Sequence, residues 1–66
     1  MVDHGDRHLA LGDYAAEDTD ELTFSNGDVI EILDRDDDGW WYCRRVADGK
    51  EGFAPMNYLR YCKLCK

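Results

Sequence analysis

From Leu9 onward, apolar and polar residues alternate in short runs. Leu9 and Leu11 alternate with Ala10 and Gly12, and after a polar stretch Leu22 and Phe24 flank Thr23. A period of two is the mark of a strand with one buried face, so two short strands are predicted there. The stretch between them, Tyr14 to Glu21, is acidic and carries Asp and Thr where turns favour them, which predicts a long hairpin loop. Ser25-Asn26-Gly27-Asp28 predicts a tight turn, because Asn-Gly offers two residues that tolerate positive φ. A strand then restarts at Val29, with Ile30 and Ile32 on one face, Glu31 turned to solvent, and Val29 and Leu33 leaving the second face partly apolar. Asp34 to Gly39 reads as a charged loop, Trp40 to Val46 as an aromatic strand, and Asp48-Gly49 as a tight turn into a strand over Glu51 to Ala54. Pro55-Met56-Asn57-Tyr58 is long enough for one 3-10 turn, and Leu59 to Tyr61 forms a last strand. Turn signals every eight to twelve residues predict an all-β sandwich or small barrel.

Length and charge narrow the picture. A chain of 66 residues holds one domain at most, and a chain of this size buries only about 60% of the surface its unfolded form exposes. Residues 1–8 are polar without an apolar period, so we expect a flexible leader there, a domain over 9–61 and a tail over 62–66. Fifteen acids against eight bases leave a net charge of −7. Such a surface repels phosphate backbones and anionic lipid, so neither nucleic acid nor membrane is the expected partner, and a basic ligand is. Cys43, Cys62 and Cys65 make an odd count, and no apolar run near Met1 resembles a signal peptide. We therefore expect a cytoplasmic, monomeric protein with reduced thiols, held together by its core alone.

Five blocks bring the sequence into register with a known family: ALGDY at 10–14, DELTF at 20–24, NGDVIEIL at 26–33, DGWW at 38–41 and GFAPMNYL at 52–59. In order and spacing the chain resembles a Src homology 3 (SH3) domain over nearly its whole length. The resemblance implies an all-β, five-stranded SH3-like barrel of two packed antiparallel sheets, with a short 3-10 turn before the last strand. It also implies a shallow aromatic groove that binds proline-rich (PxxP-type) peptides in polyproline II form. Such a ligand is already extended when free, so binding it costs little ordering entropy. By the resemblance, the groove falls on Tyr14, Trp40, Pro55 and Tyr58, with Asn57 as a hydrogen-bond donor and Phe53 at the edge. Glu21, with Glu17, Asp18 and Asp20 nearby and Asp38 from the other loop, is expected to read a basic residue flanking the prolines.

The rest of the chain is assigned more plainly. Trp40 and Trp41 point to opposite faces of a strand, so only one can lie in the groove, and Trp41 is expected to cover the sheet's outer face. Ala10, Leu22, Phe24, Ile30, Ile32, Val46 and Ala54 are assigned to the core, and Cys43 reads as a small buried residue. Asp34, Asp36 and Asp37 read as solvated loop charge. Gly12 stands where the family usually places a Tyr that walls one proline pocket, which predicts weakened or altered peptide binding and leaves open a folded or intramolecular partner on the same surface. An aromatic cage for a methylated lysine would suit the acids and rings, but the GFAPMNYL block favours the peptide reading. Cys62 and Cys65 have the spacing of half a zinc site, yet no second pair follows, so no metal or other cofactor is expected. His4 and His8 are the only histidines and both lie in the polar leader, so we expect no enzyme activity.

Overall fold

A computed structural model describes residues 6–35 and 39–62. Five strands follow one another: β1 (Asp6–Ala10), β2 (Val29–Arg35), β3 (Trp40–Arg45), β4 (Glu51–Pro55) and β5 (Leu59–Tyr61), with a 3-10 turn over Met56–Tyr58. All neighbours run antiparallel in the order β4-β3-β2-β1-β5. The all-β, five-stranded architecture is as expected, with the difference that hydrogen bonding runs unbroken through β2, so the strands make one sheet. That sheet bends at β2, where the register passes from Ile32↔Cys43 to Asp34↔Tyr42 and Leu33 is left as the extra residue of a bulge.

Element boundaries moved where pairing overrides composition. Asp34 and Arg35, read as loop, extend β2 because Tyr42 and Trp41 pair with them. Leu22 to Phe24, read as a strand, contributes only the isolated bridge Tyr14↔Phe24, and the preceding Glu21 makes another with Phe53. The glycines of the two predicted tight turns take positive φ, Gly27 at 90° and Gly49 at 78°, whereas Asn26 does not. A single positive φ at the third turn position is the type II pattern, closed by Asp28 N–H donating to Ser25 O at 3.0 Å. The β3–β4 turn starts earlier than expected, with Gly49 N–H donating to Arg45 O at 2.7 Å.

Ala10, Leu22, Phe24, Ile30, Ile32, Cys43, Ala54 and Leu59 form one buried cluster, with Tyr14 and Trp41 packed against it. Val46, assigned to the core, is only half-buried because β3 ends at Arg45 and Val46 opens the turn. Trp41, assigned to the outer face, shares the inward side of β3 with Cys43, as strand alternation requires once Cys43 is inside. His8, assigned to a flexible leader, is paired in β1 opposite Ile30 and Tyr61 and is 5% exposed. Its ring stands edge-on to Trp41 and to Tyr61, both at 5.6 Å, a site that suits a flat polarizable ring whatever its polarity. Cys43 is fully buried and its thiol donates to Trp41 O, and burial pushes its pKa up to about 12. Cys62, expected as a free thiol, is disulfide-bonded; it sits past β5, outside the core that shields Cys43, and Cys65 lies outside the described residues.

One close approach joins the long acidic loop to the sheet. A Cβ at Gly52 would lie 2.7 Å from the carbonyl carbon of Glu21, 2.8 Å from Leu22 N and 2.9 Å from Asp20 O. The missing side chain lets the loop backbone exchange two hydrogen bonds with β4: Phe53 N–H to Asp20 O at 2.8 Å and Leu22 N–H to Phe53 O at 2.9 Å. Gly52→Ala should therefore lower the unfolding free energy by about 1–3 kcal/mol, the usual cost of forcing atoms into a closed space. Chemical denaturation would show it as a reduced midpoint, and an unchanged midpoint would mean the loop is not held at this contact.

Candidate functional site

Three segments bring aromatic rings to one end of the sheet. Tyr14 is held by a reciprocal backbone pair with Phe24, at 2.8 and 3.0 Å, at the two ends of the acidic loop. Trp40 opens β3 directly opposite Pro55, the last residue of β4. Pro55 in turn caps the 3-10 turn that carries Asn57 and Tyr58, and Leu11 N–H donates to Tyr58 O at 2.7 Å. The Tyr14 ring is the hub: its centroid lies 5.5 Å from that of Tyr58, 6.1 Å from Trp40 and 5.6 Å from Phe24 beneath it. Tyr58 remains 36% exposed, Trp40 and Tyr14 are half-buried, and Asn57 is exposed. The result is a shallow surface of flat rings set edge-to-face, with apolar faces and polar rims.

Glu21 is wired into that surface. The Tyr14 hydroxyl donates to Glu21 Oε1 at 2.6 Å, and Glu17 N–H donates to the same oxygen at 2.9 Å. These donors favour the ionised carboxylate: the Tyr14 hydroxyl first, then the backbone, hold Glu21 below the usual carboxylate range. The same bond, reinforced by burial, pushes the Tyr14 phenol up to about 12. Glu21 Oε1 thus accepts from a side chain and from the backbone of its own loop at once. A cavity of about 510 Å³ opens beside it, lined also by Thr19, Thr23, Arg45, Lys50 and Glu51. Its two acids and two bases offset one another, so it carries no strong field of either sign.

The structure thus brings Tyr14, Trp40, Pro55, Tyr58 and Glu21 together, with Asn57 on the adjoining turn. Phe53 sits one pleat down β4 from Pro55, its ring against Tyr42 at 5.1 Å. Glu17, Asp18 and Asp20 are exposed on the loop, and the backbones of Asp18 and Asp20 are used to shape it, through Asp18 O and Asp20 O. Asp38 lies outside the described residues. Several positioning residues were not singled out from sequence. Asp13 accepts from Asn26 N–H at 2.8 Å, Thr23 Oγ1 accepts from Ala16 N–H at 3.0 Å, and Arg45 donates to Thr23 O at 2.7 Å while gripping Asp48. These bonds span up to 22 residues of sequence, where no local pattern could disclose them. Gly52 did carry a signal, since an isolated glycine in a strand marks close backbone approach.

The Tyr14–Glu21 bond has a defined pH range. Because the Glu21 pKa is lowered on folding from 4.5, its contribution to stability is complete above that value and is lost as acid takes the pH through the lower folded value. At the other end, the raised phenol contributes fully below pH 10 and the contribution is lost as the pH rises through about 12. Carboxyl-carbon NMR should find Glu21 titrating below the ordinary glutamate value of 4.5, and Tyr14→Phe should return it toward that value; an unmoved Glu21 titration in that variant would contradict the bond.

Comparison with known proteins agrees with this geometry. A family profile described as SH3 domain matches residues 9–56. The chain is 48% identical over 52 residues to the myosin IB heavy chain of Dictyostelium discoideum and 45% identical over 51 residues to mouse (Mus musculus) Jouberin, covering 79% and 77% of this chain. It spans about 5% of the length of each of these relatives. Among solved structures, the carboxy-terminal SH3 domain of myosin IB from Entamoeba histolytica, bound to an EhFP10(GEF) peptide, superposes with a TM-score of 0.84 at 36% identity, over 92% of this chain and 98% of that one. The Acanthamoeba myosin I SH3 domain bound to Acan125 gives a TM-score of 0.82 at 40% identity, over 91% and 100%. With the family match, the strand order and the ring cluster in agreement, the chain belongs to the SH3 domain family of protein-interaction modules.

Proposed function

We propose that this domain binds proline-rich segments of other proteins, or of its own parent chain, in the groove between Tyr14, Trp40, Pro55 and Tyr58. The observation that carries the reading is the Tyr14 hub, 5.5 Å from Tyr58 and 6.1 Å from Trp40, with Glu21 fixed on its hydroxyl. Proline rings of a polyproline II helix fit between flat side chains of this kind, and Asn57 stands on the adjoining turn to donate to a ligand carbonyl. Glu21 offers its second carboxylate oxygen to an Arg or Lys beside the prolines, with Glu17, Asp18, Asp20 and Asp38 adding to the negative field. Two related domains, from Entamoeba and Acanthamoeba, were solved with bound partners, which supports a peptide in this groove.

No chemistry is performed in this reading. The domain acts as a monomeric adaptor, scaffolding or regulatory module of a longer cytoplasmic signalling or cytoskeletal protein. A contact of this size, roughly 1,200 Å² or less, gives modest affinity and fast exchange, so selectivity in the cell comes from the basic residue and from additional modules on the same chain. A second reading, a non-proline or folded partner such as a ubiquitin-like domain, rests on Gly12. A Cβ there would meet nothing within 4 Å, so one side of the groove is open where a ring would stand.

Titration with a PxxP peptide carrying an Arg, followed by proton–nitrogen NMR, tests the reading. Saturable shifts should centre on the Trp40 indole and on the amides of Glu21, Asn57 and Tyr58, and Trp40→Ala should weaken binding at least tenfold, about 1.4 kcal/mol. Shifts elsewhere, or none at millimolar peptide, would turn the assignment toward a folded partner. Gly12→Tyr should restore the missing wall and tighten the same peptide about tenfold. Equal affinity in that variant would mean that the open side costs the domain nothing.

A further inference from the structure

The turn that leads into β2 is held by more bonds than the single one that closes a four-residue reversal. Gly27 N–H donates to Ala10 O at 2.8 Å and Ala10 N–H donates to Asp28 O at 2.9 Å, so the turn is stitched twice to the end of β1. Asp28 N–H donates to Ser25 O at 3.0 Å, and Ser25 N–H returns to Asp28 Oδ2 at 2.8 Å. Asn26 N–H is taken by Asp13 Oδ1 at 2.8 Å. At the apex stand Asn26 and Gly27, both exposed, with Gly27 at a φ of 90°. An Asn followed by Gly carries chemistry of its own, because no side chain on the glycine shields its amide nitrogen from the carboxamide before it. Here that nitrogen is the one whose N–H is given to Ala10.

We propose that Asn26–Gly27 is a latent self-modification site, shut while the turn is clamped to β1 and active once the turn opens. Water is the only co-reactant. The Gly27 amide nitrogen, on losing its proton, bonds to the side-chain carbonyl carbon of Asn26; the bond from that carbon to the side-chain nitrogen breaks, and the nitrogen leaves with the proton as ammonia. Water then opens the five-membered imide at either carbonyl, giving aspartate or, where the chain now runs through the former side chain, isoaspartate. Nothing is oxidised or reduced. The clamp opposes the first step twice. The bond to Ala10 keeps the proton on the Gly27 nitrogen, and the bonds at Ser25, Asn26 and Asp28 stop the backbone from swinging that nitrogen onto the carboxamide. The product cannot regain the clamp, because isoaspartate lengthens the main chain by a methylene carbon between the groups that must meet Asp13 and Ala10 together. It also leaves a new carboxylate beside those of Asp13 and Asp28. A local opening that is otherwise reversible thus leaves a permanent mark.

The test follows deamidation at Asn26 by peptide mapping and mass spectrometry in mildly alkaline buffer. Three samples are compared: the folded domain, the domain held unfolded in urea, and a free peptide spanning residues 23–29. The folded domain should react at least about tenfold more slowly than the other two, since several hydrogen bonds must open before the nitrogen is free. Asp13→Ala, which removes the grip on Asn26 N–H, should raise the folded-state rate about threefold to tenfold, the worth of one hydrogen bond, and leave the rate in urea unchanged. Hydrogen exchange at Gly27 N–H reads the same opening without a substitution and should be slowed by at least the same factor. The isoaspartate form, separated after reaction in urea and returned to buffer, should unfold at a lower denaturant midpoint than the native domain. A folded-state rate equal to that of the peptide, an unchanged rate in folded Asp13→Ala, or an isoaspartate form with the native midpoint overturns the proposal. Fast exchange at Gly27 overturns it even where Asp13→Ala does not fold.

Discussion

The site depends on a contact that contains no side chain. At Gly52 the backbone of the acidic loop lies so close to β4 that a methyl group would sit 2.7 Å from the Glu21 carbonyl carbon. That approach allows two hydrogen bonds between Phe53 and the loop, and the loop is thereby held against the sheet at its returning arm. Its other attachment is the Tyr14–Phe24 bridge, which places Phe24 in the core and Tyr14 above it. With both anchors in place, Glu21 is within reach of the Tyr14 hydroxyl, and the rings and the acid act as one unit. Beneath this unit Phe24 and Leu22 are buried beside Ala54, and burying a side chain of the size of Phe or Leu contributes about 1.5–3 kcal/mol.

Electrostatics enter as a second layer. A net charge of −7 on a small domain produces a field that draws basic segments at a distance and fades over about 8 Å at physiological salt. Glu21 is oriented by the Tyr14 hydroxyl and the Glu17 N–H, which fixes where its share of that negative charge lies. Two of the bases are committed to the frame. Arg44 spans Glu31 and Glu51, and Arg45, which ties the β3–β4 turn to Thr23, is paired with Asp48 strongly enough to hold that carboxyl at about 2.

The sequence by itself determined the all-β class of fold, the order of β2 to β5 along the chain and the 3-10 turn before the last strand. The physical reason is that alternation and turn chemistry are local, and each of the blocks from ALGDY to GFAPMNYL is a short contiguous run that carries an element together with its adjoining turn or boundary. Tertiary structure alone decided the rest. His8 looks like leader residue until Ile30 and Tyr61 pair with it and Trp41 covers it. Asp34 looks like loop until Tyr42 lies opposite, and Val46 looks like core until β3 stops one residue short of it. The state of Glu21 depends on a hydroxyl seven residues away. Hydrogen-bond partners and the facing of side chains between strands are set by which backbones meet in space, and a pattern read along one strand carries no record of its neighbour.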